Sequence, residues 1–169
     1  FYIGGLQKHM KSFLAMTSPT VNSYARLVKG AWAPTAATWG VDNRTSALRV
    51  IKGGNKSQRV EFRVGSADAN PYLTAAANIA AGLDGVKNKI EPAEPVAGNA
   101  YDLQDDLPDE LQLSGNLRDA NRDFSGSAVA REYLGDTFVD HYVASRDWEV
   151  REYERSVNDW QLKRYFEII

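Results

Sequence analysis

Arg59-Val60-Glu61-Phe62-Arg63-Val64 is the stretch on which the reading of this chain turns. Val60, Phe62 and Val64 alternate with three charged residues, and side chains on a strand point to opposite faces with period two. The pattern predicts a strand over 58–64 with one apolar face and one face that gathers Arg59, Glu61 and Arg63. A second run, 45–51, is rich in Leu, Val and Ile, and the intervening Lys52-Gly53-Gly54-Asn55-Lys56-Ser57 has the composition of a hairpin connection. Two antiparallel strands are expected here.

Outward from this pair the periodicity is helical. Ile3, Leu6, Met10, Phe13 and Leu14 recur at three-to-four-residue steps and predict an amphipathic helix over 2–16, ended by Thr17-Ser18-Pro19-Thr20. No period holds from Asn22 to Pro34, which reads as a loop of functional length. Asn70-Pro71 reads as an N-cap followed by proline at the first helical position. The Ala-rich helix after it, Tyr72 to Ile90, has little bulk and suits close packing. Residues 91–115 hold three prolines, two glycines and many acids, and read as a solvated loop with one short helical turn. Helical segments follow near 117–124, 128–134, 137–157 and 160–168. The expected class is α+β: antiparallel strands lining a site, then a helical C-terminal half.

With 169 residues, 43% hydrophobic and 25% charged, the chain has the composition of one globular domain. No apolar run approaches the roughly 18 residues of a membrane span. The absence of cysteine excludes disulfides and thiolate metal sites and fits a reducing, cytoplasmic compartment. Starting at Phe1 without a leader, the chain reads as a piece of a longer one.

The net charge of −2 hides a split. Residues 1–65 carry ten Lys and Arg against Asp42 and Glu61, a net of +8, which leaves −10 for the remainder. A basic N-terminal third calls for an anionic partner: a phosphate or carboxylate ligand, or nucleic acid. Arg26, Arg44, Arg49, Arg59 and Arg63 supply half of that charge, as planar forks matched to phosphate and carboxylate oxygens. Lined up on one sheet face, Arg59, Glu61 and Arg63 suggest a site where arginine neutralises phosphate charge while Glu61 holds a divalent cation. The bland alternative is an exposed hairpin whose Glu61 makes cross-face ion pairs of little worth.

The order of motifs sharpens this choice. Asn22-Ser23-Tyr24-Ala25-Arg26-Leu27-Val28, Ala33-Pro34, Asn43-Arg44-Thr45-Ser46-Ala47-Leu48-Arg49, Arg59-Val60-Glu61-Phe62-Arg63 and Ala69-Asn70-Pro71-Tyr72-Leu73 together closely resemble the glutamine synthetase family. The likeness extends to Tyr2-Ile3-Gly4-Gly5 and to residues 81–90, about 90 residues in collinear order. It implies ATP- and Mg²⁺- or Mn²⁺-dependent ligation of glutamate to ammonia or an amine through γ-glutamyl phosphate.

Residue by residue, the resemblance implies the following duties. Arg26 matches an arginine that contacts glutamate and its reacting carboxylate. Arg44 and Arg49 match arginines that stabilise the phosphates of ATP and the transferred phosphoryl group, and Arg59 one on the nucleotide side. Glu61 matches a metal-ligating glutamate, and Arg63 an arginine that grips the glutamate side. Ammonium-using members place a glutamate on the flap six residues after the first arginine; here that position is Trp32. An indole cannot accept a proton from ammonium, although its face attracts an alkylammonium by cation–π interaction. Trp32 therefore suggests a larger amine, such as a polyamine or alkylamine. A plain ammonium-using glutamine synthetase, with Trp32 merely packing the flap, is the alternative.

Other residues invite blander readings. Asp68 lies two residues past the aspartate that ammonium-using members place after this strand, and is expected to be a loop or helix-capping residue. Tyr101, in Tyr-Asp-Leu, resembles a loop tyrosine that some bacterial members modify, but so short a match argues against regulation there. His9 and His141 are expected to be isolated surface or packing residues. Trp148, Tyr153, Trp160, Tyr165 and Phe166 are expected in the core or in subunit contacts.

The resemblance also implies parts that these residues lack: an N-terminal β domain and the first part of the catalytic domain, with further metal ligands. Residues 1–169 are thus expected to be the C-terminal portion of the catalytic domain, inactive alone. Large homo-oligomers, a dodecamer of stacked rings, are implied as well. Three rivals remain: a non-catalytic structural homologue, a creatine or arginine kinase-like phosphotransferase, and a nucleic-acid binder needing its +8 as an exposed stripe. No nucleic-acid or membrane partner is expected.

Overall fold

A computed structural model describes residues 1–168. The chain begins with helix α1 (Tyr2–His9), a tight turn, α2 (Leu14–Thr17) and α3 (Val21–Arg26). The single helix expected over 2–16 is thus broken. One amphipathic helix can bury only a stripe, whereas here every residue from Phe13 to Pro19 is buried. The break turns that consecutive run inward. The expected loop after Asn22 is also shorter than predicted, because α3 occupies its first part. The overlooked signal was a capping box: the Thr20 hydroxyl accepts from Ser23 N at 3.3 Å while the Ser23 hydroxyl accepts from Thr20 N at 3.2 Å.

Three strands follow, β1 (Trp39–Val41), β2 (Leu48–Ile51) and β3 (Arg59–Phe62), in the order β1-β2-β3. β2 and β3 form the expected antiparallel hairpin, with Arg49 opposite Glu61 and Ile51 opposite Arg59. β1 was not anticipated, and it pairs parallel to β2, Trp39 opposite Leu48. Parallel neighbours ordinarily need a long crossover. β1 has only three residues, so the short loop 42–47 spans its length.

Helix α4 (Pro71–Lys87) starts as expected, with Asn70 Oδ1 accepting from Tyr72 N at 2.9 Å and from Leu73 N at 3.4 Å. Its small residues let α1 approach closely. A Cβ on Gly5 would lie 2.1 Å from Ala81 O and 2.7 Å from Gly85 Cα. The largely irregular stretch after α4 contains a short helix, α5 (Ala100–Leu103), and a 3-10 turn at Gln104–Asp106. The C-terminal half is helical: α6 (Leu117–Ser125), α7 (Ala128–Leu134), α8 (Asp136–Arg155) and α9 (Asp159–Tyr165).

The core lies where α1, α2, α4 and the sheet meet α6 to α8. Phe124 is fully buried, with its ring centroid 6.3 Å from Phe13 and 5.4 Å from Tyr142. Tyr142 spends its hydroxyl on Ala15 O at 2.9 Å, as a buried phenol must. Burial raises its pKa above the usual phenol value. Among the described residues no helix is long and apolar enough to cross a membrane.

Candidate active site

The β2–β3 register places Arg49 and Glu61 side by side, and period two puts Arg63 on the same face. Arg49 donates to Glu61 Oε2 and Arg63 to Glu61 Oε1, both at 3.0 Å. Each guanidinium is mostly covered, while the carboxylate is 39% exposed and faces outward between them. The hydrogen bond from Arg49 first, then the charge and hydrogen bond of Arg63, hold the Glu61 carboxyl below the usual carboxylate range. Glu61 is therefore ionised at neutral pH. The Nε–H groups of Arg49 and Arg63 are buried without a partner among the described residues. Asp42 completes the cluster, accepting from Arg49 at 3.2 Å.

Arg26 joins this centre from α3. Its Nη2 donates to Val64 O at 2.7 Å and Gly65 O at 3.2 Å, the carbonyls just beyond Arg63. Residues 27–34 leave directly from α3 as a flap. Leu27 and Ala33 are buried at its roots, and the stretch between them is exposed. At its tip Trp32 is 71% exposed and adopts φ +56°, a left-handed conformation uncommon for a bulky residue. Lys29 on the flap reaches Asp105 Oδ2 at 2.6 Å.

Arg44 projects from the 42–47 loop and is exposed. Asn43 builds that loop: its amide nitrogen donates to Val96 O and Gly98 O at 2.9 and 2.8 Å. Its Oδ1 accepts from Thr45 N at 2.9 Å and from the Thr45 hydroxyl at 2.6 Å, an Asx turn. Arg59 is set apart at the far end of β3, where its guanidinium turns back to Ser57 O at 3.1 Å. It borders an open groove of about 330 Å³ shaped by Tyr2, Ile3, Ile51, Lys52 and Val60. The fold thus unites Arg49, Glu61 and Arg63, ties Arg26 to the backbone just beyond them, carries Arg44 on an adjoining loop, and leaves Arg59 beside a separate groove.

Among the described residues no three acidic or histidine side chains stand together as a metal cluster. Glu61 fits a divalent cation as one carboxylate ligand. It is ionised and partly exposed, and each oxygen keeps a lone pair beyond its arginine bond. The other ligands would be phosphate oxygens, waters or groups outside these residues.

Several residues set aside from the sequence have definite partners. His9 is not isolated: its Nε2 lies 2.7 Å from Asp84 Oδ2, which ties α1 to α4. His141 is exposed. The Tyr101 hydroxyl is buried. Asp68 accepts from the hydroxyls of Thr20 and Ser23 at the start of α3, but the helix backbone there is capped by Thr20 itself. Trp148, Tyr153, Trp160, Tyr165 and Phe166 do not enter the core of this chain; each is at least half exposed. Trp160 and Tyr165 pack edge to face on each other, ring centroids 5.6 Å apart.

Residues 1–165 match the family described as glutamine synthetase, catalytic domain. The chain belongs to the glutamine synthetase family. It is 50% identical over 170 residues to type-1 glutamine synthetase 2 of Dictyostelium discoideum, covering 99% of this chain and 32% of that protein. Against glutamine synthetase of Methanosarcina mazei it is 39% identical, covering 100% and 38%. Against glutamate–isopropylamine ligase of a Pseudomonas species it is 38% identical, covering 99% and 36%. A solved GmaS/ADP complex superposes with a TM-score of 0.85 at 33% identity, over 98% of this chain and 39% of that one. The chain therefore spans about a third of the length of these curated relatives, 32% to 38%.

Proposed function

We propose that residues 1–169 are the C-terminal portion of a glutamine synthetase-type catalytic domain, whose parent enzyme joins glutamate to ammonia or a larger amine at the expense of ATP. The observation that carries this reading is the ionised Glu61 held between Arg49 and Arg63, with Arg26 bonded to the carbonyls just beyond. That is the charge layout a phosphoryl transfer to a carboxylate requires.

In the reaction, a side-chain carboxylate oxygen of glutamate attacks the γ-phosphorus of ATP, and ADP leaves with the electron pair of the broken P–O bond. The amine nitrogen then attacks the carbonyl carbon of the acyl phosphate. Inorganic phosphate departs and the nitrogen gives up a proton. Little covalent chemistry falls to the protein; it must place positive charge where oxygens gather negative charge. Arg26 and Arg63 are assigned to the glutamate carboxylates, and Arg44 and Arg49 to the transferring phosphoryl group. Arg59 and the groove beside it take the nucleotide. A divalent cation held in part by Glu61, Mg²⁺ or Mn²⁺, would neutralise phosphate charge.

Trp32 favours a larger amine. Its indole is exposed on the flap and offers a face to an alkylammonium, worth about 0.5 to 2 kcal/mol, but no base for ammonium. The likeness to a protein named glutamate–isopropylamine ligase supports this, while the 50% identity to a glutamine synthetase supports the ammonium reading. Phosphate release by the full-length enzyme with ATP, Mg²⁺ and glutamate, compared across ammonium, methylamine, isopropylamine, ethanolamine and putrescine, decides between them. We expect an alkylamine or polyamine to give the highest kcat/KM. Ammonium as the clear preference would overturn the use made of Trp32, and no amine-dependent release at all would overturn the ligase reading.

A further inference from the structure

Helix α3 is six residues long, too short to hold a fixed direction by its own hydrogen bonds. It is instead fastened at both ends to one strap, residues 64–68, which continues directly from β3. At its C-terminal end, Arg26 Nη2 donates to Val64 O and Gly65 O. At its N-terminal end, the Thr20 hydroxyl donates to Asp68 Oδ2 and the Ser23 hydroxyl to Asp68 Oδ1, the latter at 3.2 Å. Thr20 and Ser23 are also the two halves of the capping box, so one carboxylate orients both hydroxyls that start the helix.

The strap is itself held to the segment before α3. Ser66 N donates to Thr17 O at 2.9 Å, and the Ser18 hydroxyl to Val64 O at 3.3 Å. α3, its preceding turn and the strap form a closed loop of contacts with Arg63 at one edge, Arg26 at another and the root of the flap between them. Asp68 is the one carboxylate in this loop, and it lies at the opposite end of α3 from the guanidinium.

We propose that Asp68 is a positioning residue: by clamping the start of α3 to the strap it sets where the Arg26 guanidinium stands relative to Arg63, and hence the fit of the glutamate carboxylate. This rests on the proposed ligase reading, and on the assignment of Arg26 to glutamate. Without the clamp, α3 pivots about the Arg26 bonds. A misplacement of about 1 Å at a substrate-orienting group costs up to about 100-fold.

The test compares Asp68→Ala and Asp68→Asn with the wild-type full-length enzyme. Asn retains an oxygen acceptor, and its amide can bond the second hydroxyl as donor, so it should rescue. For Asp68→Ala we expect the KM for glutamate to rise about tenfold with the KM for ATP unchanged. We also expect faster amide hydrogen exchange confined to 21–34, with the melting temperature held within a few degrees. Asp68→Asn should stay close to wild type in all of these. An unchanged glutamate KM in Asp68→Ala, or a parallel loss in both substrates with lowered melting temperature, would overturn the proposal. Wild-type enzyme inactive with every amine would sink the ligase reading instead, and the exchange measurement still judges the clamp: unchanged exchange over 21–34 overturns it.

Discussion

Glu61 shows how one residue's neighbours decide between two readings that its position on a strand leaves open. Alternation put it on a face with Arg59 and Arg63. The partner that matters most is Arg49, twelve positions away in sequence and directly opposite on the neighbouring strand. The depressed Glu61 pKa carries a sign. A carboxyl whose folded value is lowered contributes above its ordinary range and loses that contribution only as pH falls through the depressed value. The activity that depends on Glu61 should persist down to the ordinary carboxylate range of about 4.3 without an acid limb of its own. Glu61→Gln should lower kcat by at least about 100-fold in phosphate-release assays of the full-length enzyme, because it removes the charge proposed to bind the metal. Stability should change by less than about 1 kcal/mol, since the carboxylate is partly solvated. Turnover near wild type would remove the metal role.

At the scale of elements, the packing of α1 on α4 rests on missing side chains. Gly85 faces Gly5, and a Cβ on it would sit 2.2 Å from Phe1 O and 2.6 Å from Gly5 Cα, both backbone atoms that cannot swing aside. Gly85→Ala is therefore expected to destabilise by about 1–3 kcal/mol through overpacking, despite the higher helix propensity of alanine. Gly54→Ala, which meets nothing within 4 Å, serves as the control and should leave the thermal midpoint in place. The Ala-rich composition of α4 made close packing legible in advance, and Asn70-Pro71 made its start legible. α3 and β1 were not. The first is marked by a capping box whose two hydroxyls bond a distant aspartate, not by an apolar stripe. The second is a three-residue strand defined only by its parallel neighbour.

For the whole molecule, the matched relatives are about three times as long as this chain, and Glu61 is the one metal ligand proposed from it. Isolated residues 1–169 are expected to show no ATP-dependent amide formation under conditions where the full-length enzyme turns over. Detectable product from the isolated chain would contradict the assignment as a partial catalytic domain. The aromatics of α8 and of residues 160–166, each at least half exposed, fit contacts beyond this chain.

Local order sufficed for much of this. Alternation along 59–64, the N-cap at Asn70, the helical C-terminal half and the clustering of arginines in the first 65 residues are all properties of neighbours in sequence, and these the sequence determined by itself. Tertiary structure decided which charges meet. It set Arg49 and Arg63 on opposite sides of one carboxylate and turned Arg59 away to its own groove. It joined His9 to Asp84 and bound Asp68 to a helix 45 positions away. The reason is physical: an ion pair or a cap across the fold depends on register and helix placement, and these are settled only when the core closes around Phe13, Phe124 and Tyr142.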